Sequence, residues 1–423
     1  MDELLEKAIL VGVNVNKDPH FDYSIEELGN LAEAMGVEVV GVITQNLARV
    51  TSSHYVGTGK IKEIRSLYEA MDANIVIFDV ELSPAQIRNL EEELDCKVID
   101  RTMLILDIFA KRAKTNEAQM QVKIAQLQYM LPRLVGMNNS LSRQGGATGG
   151  GFSNRGSGET QLELDRRKIE IQISKIKRDL QVVKEQRDTQ RKQRRKNRVP
   201  VVSLVGYTNA GKSTIMNQLL LMTKGEDSKQ VFEKDMLFAT LETAVRQIEL
   251  PDKKQFLLTD TVGFVSKLPH HLVKAFRSTL EEAREADLLL HVVDVSNDEN
   301  AFMVEVTNET LKAVGVVDIP TIYVYNKADA VEVVYPAVAK NKVWISAKEG
   351  VGLDLLLELI RKEIFDDYET IDIIVPYDRG DIVSNLNEHA NVLTTKYEEE
   401  GTALRVEIRS EDKAKLQQFI NKN

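Results

Sequence analysis

The stretch VVSLVGYTNAGKSTIMNQLL, residues 201 to 220, constrains the fold more than any other part of the chain. A run of β-branched and apolar residues ends at Gly206, and an apolar pattern of helical period follows Gly211. This is the G-x-x-x-x-G-K-[ST] phosphate loop in its required context, between a strand and a helix. Its glycines let backbone N–H groups curl around a phosphate at the start of the helix. The stretch predicts a nucleotide-binding α/β domain.

The residue types of this loop suggest a role for each position. We expect Lys212 to reach the β- and γ-phosphate oxygens, and the Ser213 hydroxyl to ligate Mg²⁺. The whole loop is predicted to bind the nucleotide, and its members are Gly206, Tyr207, Thr208, Asn209, Ala210, Gly211, Lys212, Ser213 and Thr214.

The segment TDTVGF ends a second apolar strand. Its Asp260 is placed to hold Mg²⁺ through water, and the backbone N–H of Gly263 can sense a γ-phosphate. Many GTPases carry a glutamine directly after this glycine to orient the attacking water. Phe264 stands there and can neither donate nor accept a hydrogen bond. We therefore expect slow intrinsic hydrolysis that a partner accelerates; Phe264 is equally compatible with an ordinary packed residue.

The base is predicted from the segments YNKAD and ISAK. A carboxylate at Asp329 can accept hydrogen bonds from N1–H and the exocyclic amine of guanine, whereas adenine offers a lone pair at N1. A backbone N–H of ISAK can bond the guanine carbonyl oxygen. These segments predict a GTPase whose base-binding residues are Asn326, Lys327, Asp329, Ser346, Ala347 and Lys348.

The 423 residues are too many for one core, and 43% apolar residues indicate a globular multidomain α/β protein. Strands alternate with amphipathic helices over 1–115, which predicts a parallel α/β domain. We expect a helical hairpin over 116–198, the phosphate-loop domain over 199–366 and a small α+β domain over 367–423. In this last domain His389 is predicted to pack or cap rather than catalyse.

The hairpin is predicted from two apolar seams, each with spacings of 4, 3, 4 and 3 residues, which favour an antiparallel coiled coil. Thr160 and Glu163 suggest a capping box at the start of the second helix. A glycine-rich tip loop is placed at 137–159, either as a probe for a partner or as a flexible connection. The seams are Met120, Ile124, Leu127, Leu131 and Leu134, and Ile169, Ile173, Ile176, Leu180 and Val183.

Charge is distributed unevenly along the chain. Residues 101–200 hold 22 Lys and Arg against 9 Asp and Glu, which is a net charge of +13. Because the whole chain has a net charge of −10, the other residues together carry −23. A basic element on an acidic body favours a polyanion such as RNA, although a solvated helix face is the alternative. The candidate contacts to RNA are Arg143, Arg155, Arg166, Arg167, Arg191, Lys192, Arg194 and Arg195.

No apolar run approaches the roughly 18 residues that a membrane span needs, and the acidic start MDELLEKAIL is unlike a signal peptide. We expect a cytoplasmic monomer without a membrane span. The single cysteine, Cys96, is expected to be a buried small hydrophobe rather than a reactive thiol.

Two weaker signals concern further ligands. Asn209 in the phosphate loop is a candidate ligand for K⁺ beside the phosphates, or it only stabilises the loop. Gly57-Thr58-Gly59-Lys60 before a helix suggests a second nucleotide, ATP, in the N-terminal domain, but a tight turn is the favoured interpretation because the full phosphate loop is lacking.

The phosphate-loop domain resembles translation-factor-class GTPases, and DMLFATLET resembles their first switch. The longer motifs VGTGKIKEI, DRTMLILDIFAKRA, AQLQYMLPRLVG, LSRQGG and RGSGETQLELDRR resemble the HflX family over residues 1–366. The resemblance implies that Thr240 is the catalytic switch threonine that ligates Mg²⁺, and that Lys212 and Gly263 act with it. Thr243 is the alternative to Thr240. Ser157 stands where the family has proline, and TLETA replaces T-L-D-P-T.

The same resemblance implies a GTPase that binds GTP and GDP, contacts RNA of the large ribosomal subunit and dissociates ribosomes. Two alternatives stay open. One is a GTPase of ribosome assembly or RNA modification, and the other is an RNA-binding scaffold with a regulatory GTPase latch.

Overall fold

A computed structural model of the chain describes residues 6–134, 155–197, 199–224, 244–269, 272 and 282–420. These residues form three separate β-sheets and a pair of packed helices. The α/β, multidomain class expected from the sequence is confirmed, while the boundaries at 115, 198 and 366 stay predictions.

The N-terminal sheet has four parallel strands in the order β2-β1-β3-β4. Two of its helices begin at side-chain caps, because Ser83 and Gln86 form a reciprocal capping box and Asp100 accepts from the N–H of Met103. Cys96 is half-buried rather than fully buried as expected, but burial still raises its pKa to about 11, which disfavours the reactive thiolate. The elements are β1 Lys7–Val15, α1 Phe21–Met35, β2 Glu38–Leu47, α2 Thr58–Ala70, β3 Ile75–Phe78, α3 Pro84–Leu94, β4 Lys97–Asp100 and α4 Arg101–Arg112.

The predicted hairpin helices are α5, Asn116–Met130, and α6, Arg155–Asn197, which pack against each other. Helix α5 has two apolar faces. One face, which includes Val122 and Ala125, joins the core of the N-terminal domain. The other carries the predicted seam and includes the buried Ile124. Helix α5 therefore mounts the hairpin on the first domain.

The start predicted for the second hairpin helix is wrong. Helix α6 begins at Arg155, so Thr160 and Glu163 lie inside it rather than at its N-cap, and residues 155–159 of the predicted tip loop are helical. Two glycines, Gly156 and Gly158, are absorbed into the first turns. Each glycine costs only about 1 kcal/mol in a helix interior, and extending a helix already nucleated over 40 residues is easy.

The phosphate-loop domain has a seven-stranded sheet in the order β10-β11-β9-β8-β5-β7-β6. The strand predicted to end at Gly206 and the strand predicted before TDTVGF are both present, as β5 and β7. Two antiparallel edge strands, β6 and β10, were not predicted. The elements are β5 Val201–Gly206, α7 Lys212–Lys224, β6 Ala244–Glu249, β7 Gln255–Asp260, β8 Leu288–Asp294, α8 Asn300–Ala313, β9 Thr321–Asn326, β10 Ala337–Ala339, β11 Lys342–Trp344 and α9 Leu353–Ile364.

The C-terminal domain contains, in order, a strand, a helix, two strands and a short helix, which fits the α+β class expected for it. Its antiparallel sheet has the order β12-β14-β13, and helix α10 covers one face. The elements are β12 Tyr368–Val375, α10 Gly380–His389, β13 Asn391–Glu398, β14 Gly401–Arg409 and α11 Lys413–Leu416.

Among the helices of the described residues, none is both long enough and apolar enough to cross a lipid bilayer.

Candidate guanine nucleotide site

The phosphate loop joins β5 to α7, as predicted. Gly206 has φ +143°, and a Cβ there would lie 2.3 Å from the carbonyl oxygen of Val292. Gly211 has φ +94°, and a Cβ there would lie 2.2 Å from Nδ2 of Asn326. Both positions therefore require glycine. Asn209 is exposed at the apex with φ +59°, a left-handed conformation that asparagine tolerates better than most residues.

The Lys212 side chain is buried under the loop. Its Nζ donates to the carbonyl oxygens of Gly206, at 3.1 Å, and Tyr207, at 2.7 Å. Burial lowers the pKa of Lys212 to about 8, although the nearby Asp260 carboxylate favours the charged form. Burial, together with Lys212, also lowers the pKa of His291 on β8 to about 4, so that this imidazole is neutral at pH 7. Lys212 is thus a cation that a phosphate group would stabilise further.

Ser213 and Asp260 bring two oxygen ligands together at the carboxyl ends of β5 and β7. The Ser213 Oγ donates to Oδ2 of Asp260 at 2.6 Å. Hydroxyl and carboxylate oxygens are the hard donors that Mg²⁺ prefers, and Mg²⁺ is usually bound by one or two protein groups together with substrate phosphates. This pair fits the expected metal.

Gly263 lies directly against the phosphate loop. A Cβ at Gly263 would approach the Cα of Thr208 to 2.7 Å and Nζ of Lys212 to 3.0 Å. The next residue extends the contact, because the N–H of Thr208 donates to the carbonyl oxygen of Phe264 at 2.8 Å. The Phe264 ring is buried in an apolar cluster that contains Tyr207. The position that follows D-x-x-G is therefore part of a core.

Asn326 connects three of the predicted segments. Its Nδ2 donates to the carbonyl oxygen of Ala210 at 2.9 Å, and its Oδ1 accepts from the N–H of Ala347 at 2.9 Å. Asp329 is linked to the same segment, because its Oδ1 accepts from Oγ of Ser346 at 2.6 Å. The structure thus brings the phosphate loop, NKAD and SAK together at one edge of the sheet.

The two lysines of the NKAD and SAK segments lie in different surroundings. The Nζ of Lys327, a residue with φ +64°, pairs with Asp294 at 2.7 Å, and Lys348 is exposed. Thr214 follows Ser213 in the first turn of α7. Thr240 and its rival Thr243 lie outside the described residues.

Most of the predicted RNA contacts fall on α6. Arg166 and Arg167 are exposed, and Arg166 forms a salt bridge with Glu170 at 3.0 Å. Arg143 lies outside the described residues, and the remaining five are placed by the helix backbone alone: Arg155, Arg191, Lys192, Arg194 and Arg195.

The G-x-G-K segment of the first domain forms the start of α2. Gly57 has an extended backbone and its N–H donates to Oε1 of Gln45, while Lys60 pairs with Glu63 on the same helix at 2.7 Å. These contacts fit the favoured interpretation, a turn that leads into a helix.

Sequence reasoning missed a buried polar cluster beside the phosphate loop. Glu27 of α1 and Arg101 of α4 lie there with Tyr207, although none of them was predicted to act across domains. A signal was present, because Glu27 stands on the face of α1 that also carries the apolar Leu28 and Leu31. A charged residue on an otherwise apolar helix face indicates a buried partner.

Three family models match consecutive parts of the chain. They describe the N-terminal region of a GTP-binding GTPase over residues 22–110, its middle region over 112–194 and a 50S ribosome-binding GTPase over 201–327. The chain is 44% identical to a GTPase HflX of Caldanaerobacter subterraneus, with 99% of this chain and 96% of the relative covered. It is 39% identical to GTPase HflX of Escherichia coli, with 94% and 92% covered.

The chain belongs to the HflX family of GTPases. Its activity is the hydrolysis of GTP, which the combination of phosphate loop, NKAD and SAK had predicted. A solved structure, that of SsGBP in complex with GDP, aligns over 86% of this chain and 99% of its own, with a TM-score of 0.47 and 23% identity.

Proposed function

We propose that GTP and GDP bind where the phosphate loop meets the NKAD and SAK segments, at the carboxyl ends of the parallel strands. The phosphate loop and Lys212 would hold the phosphates, and Asp329 with the 346–348 segment would hold guanine. The observation that carries this proposal is the hydrogen bonding of Asn326 to both Ala210 and Ala347, because it fixes the base-binding segments relative to the phosphate loop. Replacement of Asp329 by Asn should weaken GTP binding and favour xanthosine triphosphate, whose ring carries an acceptor where guanine carries an amine.

Ser213, Thr240 and Asp260 would hold Mg²⁺, Asp260 through a water molecule. The ion would neutralise charge that develops between the β- and γ-phosphates. Removal of Mg²⁺ by a chelator should weaken GTP binding more than GDP binding. Asn209 is the proposed K⁺ ligand, and equal turnover in potassium and sodium salts would show instead that its left-handed backbone is the reason for asparagine there.

Isolated protein should hydrolyse GTP slowly. The side chain that follows Gly263 is a phenylalanine packed in a core, so it cannot orient the attacking water. A partner would supply this function, and we propose the large ribosomal subunit. Turnover should rise when 50S subunits are added; equally fast turnover without them would contradict the proposal.

We further propose that the protein uses GTP to dissociate ribosomes. The 43-residue helix α6 is rich in Lys and Arg and follows a glycine-rich stretch of sequence, and one matching family model describes a 50S ribosome-binding GTPase. RNA contacts made by this helix should weaken with salt. Sucrose-gradient sedimentation with GTP tests the proposal, because loss of 70S particles supports dissociation.

The gradients also separate the alternatives. Association with one subunit, without loss of 70S particles, would support a role in ribosome assembly or a scaffold. A variant with Arg143 and Arg155 changed to Ala then separates docking from dissociation. It should still sediment with 50S subunits through α6 but fail to split ribosomes.

A further inference from the structure

A cluster of charged side chains is buried where the N-terminal domain meets the phosphate-loop domain. Glu27, Asp79 and Arg101 are each at most 2% exposed. Arg101 donates from Nη1 to Oδ1 of Asp79 at 2.7 Å and from Nη2 to Oε2 of Glu27. One cation therefore faces two carboxylates, all three contributed by the N-terminal domain.

Ser24 of α1 donates to Oδ2 of Asp79 at 2.7 Å, and the other domain supplies further donors to both carboxylates. Tyr207 donates its phenolic O–H to Oε1 of Glu27 at 2.5 Å, and Ser266 donates its hydroxyl to Oε2 of the same carboxylate. The Nζ of Lys267 lies 2.5 Å from Oδ2 of Asp79. Burial and the Glu27 charge raise the pKa of Tyr207, which keeps its hydroxyl a donor.

The two hydroxyl donors to Glu27 belong to the two segments that are expected to surround the γ-phosphate. Tyr207 is the second residue of the phosphate loop, and its carbonyl oxygen accepts from Lys212. Ser266 lies three residues after Gly263, which contacts Lys212 and Thr208. Glu27 thus accepts from both the phosphate loop and the segment 260–266, the second switch, and adds a side-chain link to the backbone bond between Thr208 and Phe264.

We propose that Glu27 is a positioning residue for GTP hydrolysis, through which the N-terminal domain completes the hydrolytic site. Hydrolysis depends on the placement of the γ-phosphate, Gly263 and the attacking water, and small displacements are costly there. Among the described residues, Glu27 contacts no guanine-binding segment, and in the phosphate loop it contacts only the Tyr207 hydroxyl, whereas backbone N–H groups and Lys212 are expected to hold the phosphates. Loss of the Glu27 contacts should therefore lower kcat and leave KM for GTP nearly unchanged.

A purely structural role would give a different result, and the chain offers a matched control. His20 bridges the same two domains, with Nδ1 2.6 Å from Oε2 of Glu299 and its ring stacked on Phe302 at 4.0 Å. This contact touches neither the phosphate loop nor the second switch. His20→Ala loosens the domain interface without disturbing the residues that Glu27 holds.

The test is steady-state GTP hydrolysis by the full-length protein, with kcat and KM measured over a range of GTP concentrations. Tyr207→Phe and Ser266→Ala each remove one oxygen, and each should lower kcat about fivefold to tenfold, with KM changed by less than about twofold. Glu27→Gln loses the charge and one acceptor, and should lower kcat further. His20→Ala should change kcat by less than about twofold.

Tyr207→Phe and Ser266→Ala decide the matter even if Glu27→Gln does not fold, because they leave the buried ion pairs intact. The proposal is overturned if both variants keep wild-type kcat. It is also overturned if they raise KM at constant kcat, or if His20→Ala lowers kcat as much as they do.

Discussion

The phosphate-loop domain meets its two neighbours through different kinds of contact. Toward the N-terminal domain, Glu27, Asp79 and Arg101 are fully buried, and Glu27 contacts Tyr207 and Ser266 beside the nucleotide site. Toward the C-terminal domain, Lys254 pairs with Glu407 at 2.7 Å, and the half-exposed Arg361 lies 3.8 Å from the same carboxylate.

The junction with the C-terminal domain lies at the start of β7, whereas the nucleotide site lies at the end of that strand. Lys254 immediately precedes β7, and Asp260 ends it, so that about six extended residues, roughly 20 Å, separate the C-terminal contact from the site. The comparison shows that a charged interface can simply hold two domains together, or can in addition position groups that take part in the reaction. Position relative to the site, rather than the number of ion pairs, decides which.

The largest effect is expected at the N-terminal junction. Arg101→Met leaves the carboxylates of Glu27 and Asp79 buried without this cation, which should cost about 3–5 kcal/mol. Scanning calorimetry should show a fall in Tm well beyond that of any C-terminal variant below. A Tm equal to the wild-type value would mean that the cluster relaxes or hydrates, and that the two junctions are alike.

Lys254→Met tests the C-terminal junction. The Lys254 side chain is 4% exposed and lies 4.4 Å from the centre of the Tyr368 ring. Arg361 remains near Glu407, so we expect a smaller loss of about 1–3 kcal/mol. The rate of GTP hydrolysis should stay within about twofold of wild type, because the site is distant. A large fall in kcat would break the comparison.

Arg361→Ala should have a smaller effect still. Its side chain is 48% exposed, and exposed ion pairs contribute less than about 1 kcal/mol. Because solvent ions screen such pairs, the difference from wild type should vanish in high salt. A loss comparable to that of Lys254→Met would indicate that Arg361, rather than Lys254, holds the C-terminal domain.

Acid should weaken the C-terminal junction slightly. Burial alone would raise the pKa of Glu407, but hydrogen bonds from Lys254 and Asn391 lower it overall below its ordinary value of 4.5. A depressed folded-state pKa stabilises the protein above the unfolded value, and this stability is lost as the pH falls below 4.5. The Tm difference between wild type and Lys254→Met should therefore shrink from pH 6 to pH 4; an unchanged difference would exclude Glu407 as the partner.

The sequence predicted the local parts of this molecule well. The phosphate loop, NKAD and SAK segments are short and each ends a strand, so the parallel order of the sheet alone brings them together. The edge strand β6 was missed because it pairs through a turn at Pro251–Lys253 that carries no strong hairpin signal, and β10 is only three residues long. The start of α6 was missed because glycine was given too much weight as a helix breaker.

The cross-domain part of the site could not be predicted in the same way. Glu27 and Tyr207 are 180 residues apart, and no periodicity links them. Their contact depends on how two independently folded domains pack, which a local pattern does not encode. Only the placement of a carboxylate on the apolar face of α1 hinted at it.

The length of helix α6 would convert a small tilt at one end into a large displacement at the other. With 43 residues it is roughly 65 Å long, and only three residues separate its end from β5, the strand that leads into the phosphate loop. A tilt of about 10° at that base would sweep the opposite end through roughly 11 Å, several times the size of any rearrangement around a departing phosphate. A change of a few ångströms at the nucleotide site could in this way displace the opposite end of α6 by a distance comparable to the width of an RNA groove.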